Sequence, residues 1–273
     1  MDPLHRRDTS VLRPVEIFVI FIVTFFLMLL FGVAMTLLWG SKTATLLGEF
    51  LIIVPGLSYV WFKRLPLLRV FRIHRINYAV LLYTFLTAIP LFILSDELDR
   101  LISSVFPMPE IFVKGMEEFV KIHSFGDALI LFVAAVLMAG VAEEMLFRGL
   151  LQRSLEFHLE PAMAIVITAA FFAVVHLNPW MALQITFLGL VFGWMAWKSN
   201  SILPTIILHG LNNLFSIVMI NVPEEKLTWY LSGDHVRLLW LIPSVLIFIP
   251  LIIKFSQASN EMKSQRSKGE LVE

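Results

Sequence analysis

The sequence predicts an all-α, polytopic membrane protein with about eight transmembrane helices. Three observations carry that prediction. Of the 273 residues, 58% are hydrophobic and only 15% are charged, whereas a soluble domain is nearer half apolar and a quarter charged. The apolar residues are gathered into runs of roughly the 20 residues that a bilayer requires. Lys and Arg collect in alternate connections, as the positive-inside rule expects of a multi-pass chain.

The predicted spans are 15–38, 44–62, 78–94, 127–147, 161–177, 180–197, 202–221 and 237–255. The first is too long for a signal-peptide core and no small-residue cleavage site follows it, so it reads as a retained span. The outer segment 95–125 is more than a loop. Ile111, Phe112, Met116, Phe119 and Val120 recur at helical spacing between Lys114, Glu117, Glu118 and Lys121. That pattern is an amphipathic helix lying in the interface. Asp127 suits the N-terminus of span four. Leu177-Asn178-Pro179-Trp180 is a tight link. The polar tail 256–273 is expected to fray.

With eight spans, Arg6, Arg7, Arg13, Lys63, Arg64, Arg69, Arg72, Arg75, Arg153, Lys198, Lys254, Lys263, Arg266 and Lys268 fall on one side. Lys42, Arg100, Lys114, Lys121, Lys226 and Arg237 fall on the other. The larger set places both termini in the cytoplasm. Short loops and the lack of a targeting segment suit a prokaryotic inner membrane. The net charge of zero gives no case for nucleic acid, and the absence of cysteine rules out disulfides, thiol nucleophiles and cysteine metal sites.

Polar groups interrupt three apolar runs. Glu143, Glu144 and Arg148 sit in span four, His176 at the end of span five, and His209 with Asn212 and Asn213 in span seven. An ionisable group in a bilayer costs roughly 2.5–3.5 kcal/mol on insertion scales and usually has a role. Glu144 and Arg148 are i and i+4, hence neighbours on one face; Glu143 lies about 100° away and points elsewhere. His209 and Asn213 also share a face, and Asn212 turns from it. Each group has a structural reading. Glu144 with Arg148 is a buried ion pair. His176 alone is an interfacial histidine. His209 with Asn213 is interhelical glue, worth about 0.6 kcal/mol on average. Gln184 and Glu49 follow no pattern and receive no role. Together, however, a carboxylate, two imidazoles and an amide are the parts needed to activate water and hold an oxyanion.

The ordered set Glu143-Glu144-x-x-x-Arg148, Phe172-x-x-x-His176 and His209-x-x-x-Asn213 resembles the CPBP family. That family comprises CAAX prenyl proteases, among them the Ras-converting endopeptidase, and bacteriocin-processing, abortive-infection proteins. The resemblance covers about 125–221, as a four-helix catalytic core. It divides the chain into helices 1–124 with the outer amphipathic segment, the core 125–221, and a last helix with its tail, 222–273. It implies an intramembrane endopeptidase with its site in a central conical cavity. Glu143 and His176 would activate water, and His209 and Asn213 would stabilise the oxyanion. Glu144, Arg148 and Phe172 would support them. No cofactor is implied.

Two other readings compete. Glu143, His176 and His209 are a known type of zinc set, although no His-Glu-x-x-His motif is present. A non-catalytic peptide binder, as in bacteriocin immunity, would keep the fold without the chemistry. A transporter lacks support, since no paired broken helices occur in two halves. The expected partners are a membrane-associated protein or peptide substrate, prenylated CAAX-type chains among them, and the lipid bilayer. The sequence carries no prenylation motif of its own. One expectation conflicts with itself. Counting from the predicted span ends puts Glu143 and His209 about 12 Å deep but His176 about 22 Å deep, so at least one span end or tilt is misjudged.

Overall fold

The computed structural model describes residues 10–39 and 41–268. Arg6, Arg7 and the chain end 269–273, used above for the charge count and the prenylation motif, lie outside the described residues. The chain is a multi-pass helical membrane protein. In order come α1 (Pro14–Trp39), α2 (Ser41–Phe62), α3 (Leu67–Val70), α4 (Tyr78–Val105) and α5 (Glu110–Val120). A helical run, Phe125–Glu156, follows. It consists of α6 (Phe125–Leu131), a π-helical stretch Phe132–Met138, α7 (Ala139–Glu144), a second π stretch Met145–Gln152 and α8 (Arg153–Glu156). Then come α9 (Pro161–Val175), α10 (Ala182–Ser199), α11 (Leu203–Asn221), a two-residue hairpin of β1 (Leu231–Ser232) and β2 (His235–Val236), and α12 (Leu238–Ser267).

Among the described residues, six helices are long and apolar enough to cross a membrane, rather than eight. The other two predicted spans are helices at the expected places. However, α9 has only 15 residues, about 22 Å at 1.5 Å per residue, less than the ~30 Å hydrocarbon core. The 18-residue α10 carries Gln184, Thr186 and Lys198.

Three predicted ends move, for one physical reason. Hydropathy stops counting at polar residues, but these residues have partners. The run containing Glu143 continues past 147 to Glu156. There Gln152 Nε2 donates to the Gly193 carbonyl at 2.8 Å and to Glu156 at 2.7 Å, and Arg72 holds Glu156 in a bidentate pair at 2.9–3.0 Å. Helix α4 runs to Val105 instead of stopping at 94. The tail expected to fray is helical to Ser267, and Phe255, Ala258, Ser259 and Met262 on it are buried.

The longer run goes far to resolve the depth conflict. Glu143 is 13 residues from Glu156, at most about 20 Å, matching His176 at the far end of α9. His209 is only six residues into α11, but α11 starts inside the protein. Ser199, Ser201 and Ile202 in the α10–α11 turn are fully buried, Asn200 caps α10 in the left-handed conformation, and Ile202 N–H donates to the Arg72 carbonyl.

The basic connections gather at one end. Arg72 reaches Glu156 and Asn200, Arg153 reaches Ser10, and Lys263 reaches the Trp197 carbonyl. At the other end Lys42 pairs with Asp127 at 2.8 Å, Ser124 caps α6 by accepting from Asp127 N–H, and Asn221 bridges to Val120 and Ile122. The amphipathic segment is α5, which exposes Ile111 and Phe112, as an interfacial helix would.

Candidate active site

The two π stretches flank α7, which carries Glu143 and Glu144. Such π turns recur at functional sites because they re-aim side chains. Opposite α7 lies α11, held close by two glycines. A Cβ on Gly210 would sit 2.7 Å from the Val136 carbonyl oxygen, and one on Gly140 would sit 3.2 Å from that of Ile206. That close approach brings His209 onto the glutamates.

Glu144 is fully buried. Its Oε1 accepts from Arg148 Nη1 at 2.7 Å and faces His209 Nδ1 at 3.0 Å. Arg148, also fully buried, donates a second bond to the Gly189 carbonyl at 3.3 Å. Its guanidinium lies over the rings of Phe172 and Phe192, 4.5 and 5.4 Å from their centroids. Phe172 packs edge-on against His176 at 4.7 Å, while Phe192 stacks on His209 at 5.6 Å. Phe192 has no motif to mark it; only its place on a packed helix reveals it.

Glu143 points the other way. Its Oε2 lies 4.0 Å from His176 Nε2 and 3.9 Å from His209 Nε2. Both separations exceed a hydrogen bond. That oxygen is buried and has no hydrogen-bond partner. The two imidazoles are oriented from behind. His176 Nδ1 meets the Phe172 carbonyl oxygen at 2.7 Å, so the hydrogen-bond network assigns the proton to Nδ1 and leaves the Nε2 lone pair facing Glu143. His209 Nδ1 likewise donates to the Glu144 carboxylate. Asn213, one turn on from His209, donates from Nδ2 to the Ala135 carbonyl at 2.8 Å; an amide nitrogen has a second proton to give. The Asn212 backbone carbonyl accepts from Ser216 Oγ at 3.0 Å.

Access is one-sided. Towards the α10–α11 turn, Glu144, Arg148, Gln152, Ser201 and Thr205 are fully buried. Towards the C-terminus of α9, the His176 side chain is one-third exposed, Leu177 and Pro179 are exposed, and Asn178 is half-buried. Leu177 adopts the left-handed conformation at φ 52° and ends α9 there. The sequence-predicted residues Glu143, His176 and His209 are thus brought together, with Glu144, Arg148 and Phe172 behind them. Asn213 lies alongside on the α11 face.

No curated protein and no solved structure matches the chain. A family model described as type II CAAX prenyl endopeptidase Rce1-like matches residues 125–215, the stretch that supplies every one of these side chains. Residues 125–215 of this multi-pass membrane protein are thus similar to the CAAX-protease family.

Proposed function

We propose that the chain is a glutamate-dependent, metal-independent intramembrane endopeptidase acting on a membrane-associated protein or peptide. The observation that carries this is Glu143 Oε2: buried, without a hydrogen bond, and facing the Nε2 atoms of two imidazoles on two other helices. An unpaired acceptor inside a membrane protein is costly unless a water or substrate group completes it.

In this reading a water sits among Glu143, His176 and His209. Glu143, assisted by the His176 Nε2 lone pair, takes its proton as the oxygen attacks the peptide carbonyl carbon. His209 and the free proton of Asn213 hold the oxyanion. The proton then passes to the leaving nitrogen as the C–N bond breaks, giving a carboxylate and an amine. His209 as a donor through Nε2 needs both ring protons, the one on Nδ1 being held by the Glu144 carboxylate. A prenylated CAAX-type protein is the substrate class suggested by the matched family's description.

Zinc held by Glu143, His176 and His209 is the competing proposal, since the donor types suit it. As they stand, no three such groups among the described residues have metal-holding geometry. The test is cleavage of a fluorogenic prenylated peptide by detergent-purified protein. Glu143→Gln is near-isosteric but a far weaker base, so turnover should fall below detection with the melting temperature unchanged. Wild-type turnover in Glu143→Gln sinks the reading. Loss with a chelator and return with zinc turns the same residues into ligands.

We also propose that both termini face the cytoplasm of a prokaryotic cell. A reporter fused after Glu273 should then read cytoplasm, and one inserted within 110–122 should read the outside.

A further inference from the structure

The basic connections tie α9 and α10 together at one end of the bundle. Arg72 bonds Glu156, just before α9, and Asn200, just after α10. From that end α9 rises 15 residues, about 22 Å, and α10 spans 18, about 27 Å. Other helices of the bundle are taller. Helix α4 has 28 residues and the run Phe125–Glu156 has 32, about 42 and 48 Å. One hydrogen bond fixes the relative heights. Gln184 Nε2, near the start of α10, donates to the Ser95 carbonyl on α4 at 3.2 Å. Beyond that bond α4 continues for about ten residues to Val105, or about 15 Å. The α9–α10 link, 176–181, therefore stops short of the surrounding walls, and its first residue, His176, lies beside Glu143. The rim of this depression faces away from the basic end. Leu177 is 80% exposed there and Pro179 is exposed. Trp180 packs against Phe106 and Phe112, with ring centroids 6.0 and 5.1 Å apart. Asn178 Nδ2 donates to Met116 of α5, so α5 lies along the rim. Cations at this end are paired, Lys42 with Asp127, Arg100 with Asp96 and Lys114 with Glu110.

We propose that the site opens on the side of the membrane opposite the basic connections, and that its substrate is a peptide segment of a membrane-anchored protein exposed on that side. By the positive-inside rule that side is extracytoplasmic. The substrate class rests on the endopeptidase reading; the side of the opening does not. A segment approaching from the cytoplasm meets the closed end, where Gln152, Ser199, Ser201 and Thr205 are fully buried. A segment approaching from the other side meets the low α9–α10 link and crosses Leu177 to reach His176 and Glu143. Water reaches the two catalytic groups by the same path. The rings of Phe106, Phe112 and Trp180 stand along that path, so apolar side chains beside the scissile bond are favoured.

The chain has no cysteine, so a single introduced thiol reports alone. Pro179→Cys and Leu177→Cys mark the rim, and Gln265→Cys, exposed near the end of α12, marks the basic end. In spheroplasts carrying the full chain, a membrane-impermeant maleimide should label both rim thiols, and should label Gln265→Cys only after permeabilisation. Rim thiols that react only after permeabilisation, or in neither state, overturn the proposal. Should one rim variant fail to accumulate, the other carries the test. Cleavage is read separately, with a fluorogenic peptide coupled to an impermeant dextran. Spheroplasts with the wild-type chain should cleave it outside, and those with Glu143→Gln should lose that cleavage. Cleavage by detergent-purified protein but not by spheroplasts overturns the proposal and spares the endopeptidase reading. No cleavage in either, with the rim thiols labelled from outside, refutes the endopeptidase reading and leaves the side of the opening standing.

Discussion

Two of the membrane-spanning helical runs carry an adjacent acidic pair, and the two pairs are completed differently. Asp96-Glu97 lies on α4 and faces the β1–β2 hairpin. Asp96 accepts from the Tyr230 hydroxyl at 2.8 Å and from Arg100 Nε at 3.1 Å. Glu97 accepts from His235 Nδ1 at 2.9 Å and, on its other oxygen, from Val236 N–H at 2.8 Å. Every partner there holds the hairpin to the helix. Glu143-Glu144 lies on α7. Glu144 is built in just as firmly, between Arg148 and His209, while Glu143 keeps a buried oxygen with no bond. A closed acidic pair fastens structure. A half-closed pair leaves one acid free for chemistry and uses the other to hold the machinery still.

The largest expected effect comes from breaking the closed half of the second pair. Arg148→Ala leaves Glu144 as an uncompensated charge in a fully buried site. Such a loss typically costs about 3–5 kcal/mol. Yield and melting temperature should fall with turnover. A variant that melts like wild type and loses only turnover would make Arg148 part of the chemistry and erase the distinction between the two acids.

Next comes the open half. Asn213→Ala removes a proposed oxyanion donor, which in soluble proteases costs about 10²–10³ in rate. Residual cleavage should remain measurable, unlike that of Glu143→Gln. Because Asn213 also holds the Ala135 carbonyl, Asn213→Asp is a useful control. It keeps the size, loses both N–H groups, and should be no more active than the alanine variant.

The same contrast explains what could be read from the sequence. The helices around the site were legible because hydrophobic runs mark spans, and Glu143, His176, His209 and Asn213 were legible because ionisable groups and amides stand out in such runs. The ion pair of Glu144 with Arg148 followed from i, i+4 spacing alone. The π stretches were not legible, since no composition marks them. Neither was the helix beyond Phe147, because Gln152 and Glu156 read as loop until Gly193 and Arg72 supply partners from 41 and 84 residues away. Phe192 shows the limit most sharply: nothing in the sequence marks it, and only packing places it over His209 and Arg148.

A smaller effect is expected at the closed pair. Glu97→Ala leaves Val236 N–H and His235 without their acceptor, and a buried group so stranded costs about 1–3 kcal/mol. The hairpin should become protease-sensitive while turnover per folded molecule stays at the wild-type level. Loss of turnover in intact protein would mean that the two pairs communicate.

The smallest effect belongs to Tyr230. Its ring is buried, with 3% exposure, and its hydroxyl donates to Asp96. Burial first, and then the Asp96 charge, hold that hydroxyl above its ordinary value, so it remains a donor across the physiological range. A group whose value is raised on folding contributes stability that is whole below the unfolded value, about pH 10 for tyrosine, and is lost as pH rises beyond it. Tyr230→Phe should therefore cost about 1 kcal/mol near neutral pH, since Asp96 keeps Arg100, and should remove the part of the alkaline destabilisation that Tyr230 causes. Thermal melts from pH 7 to 11 compare the two chains directly. Curves that stay parallel across that range would show that the tyrosine hydroxyl contributes nothing by titration.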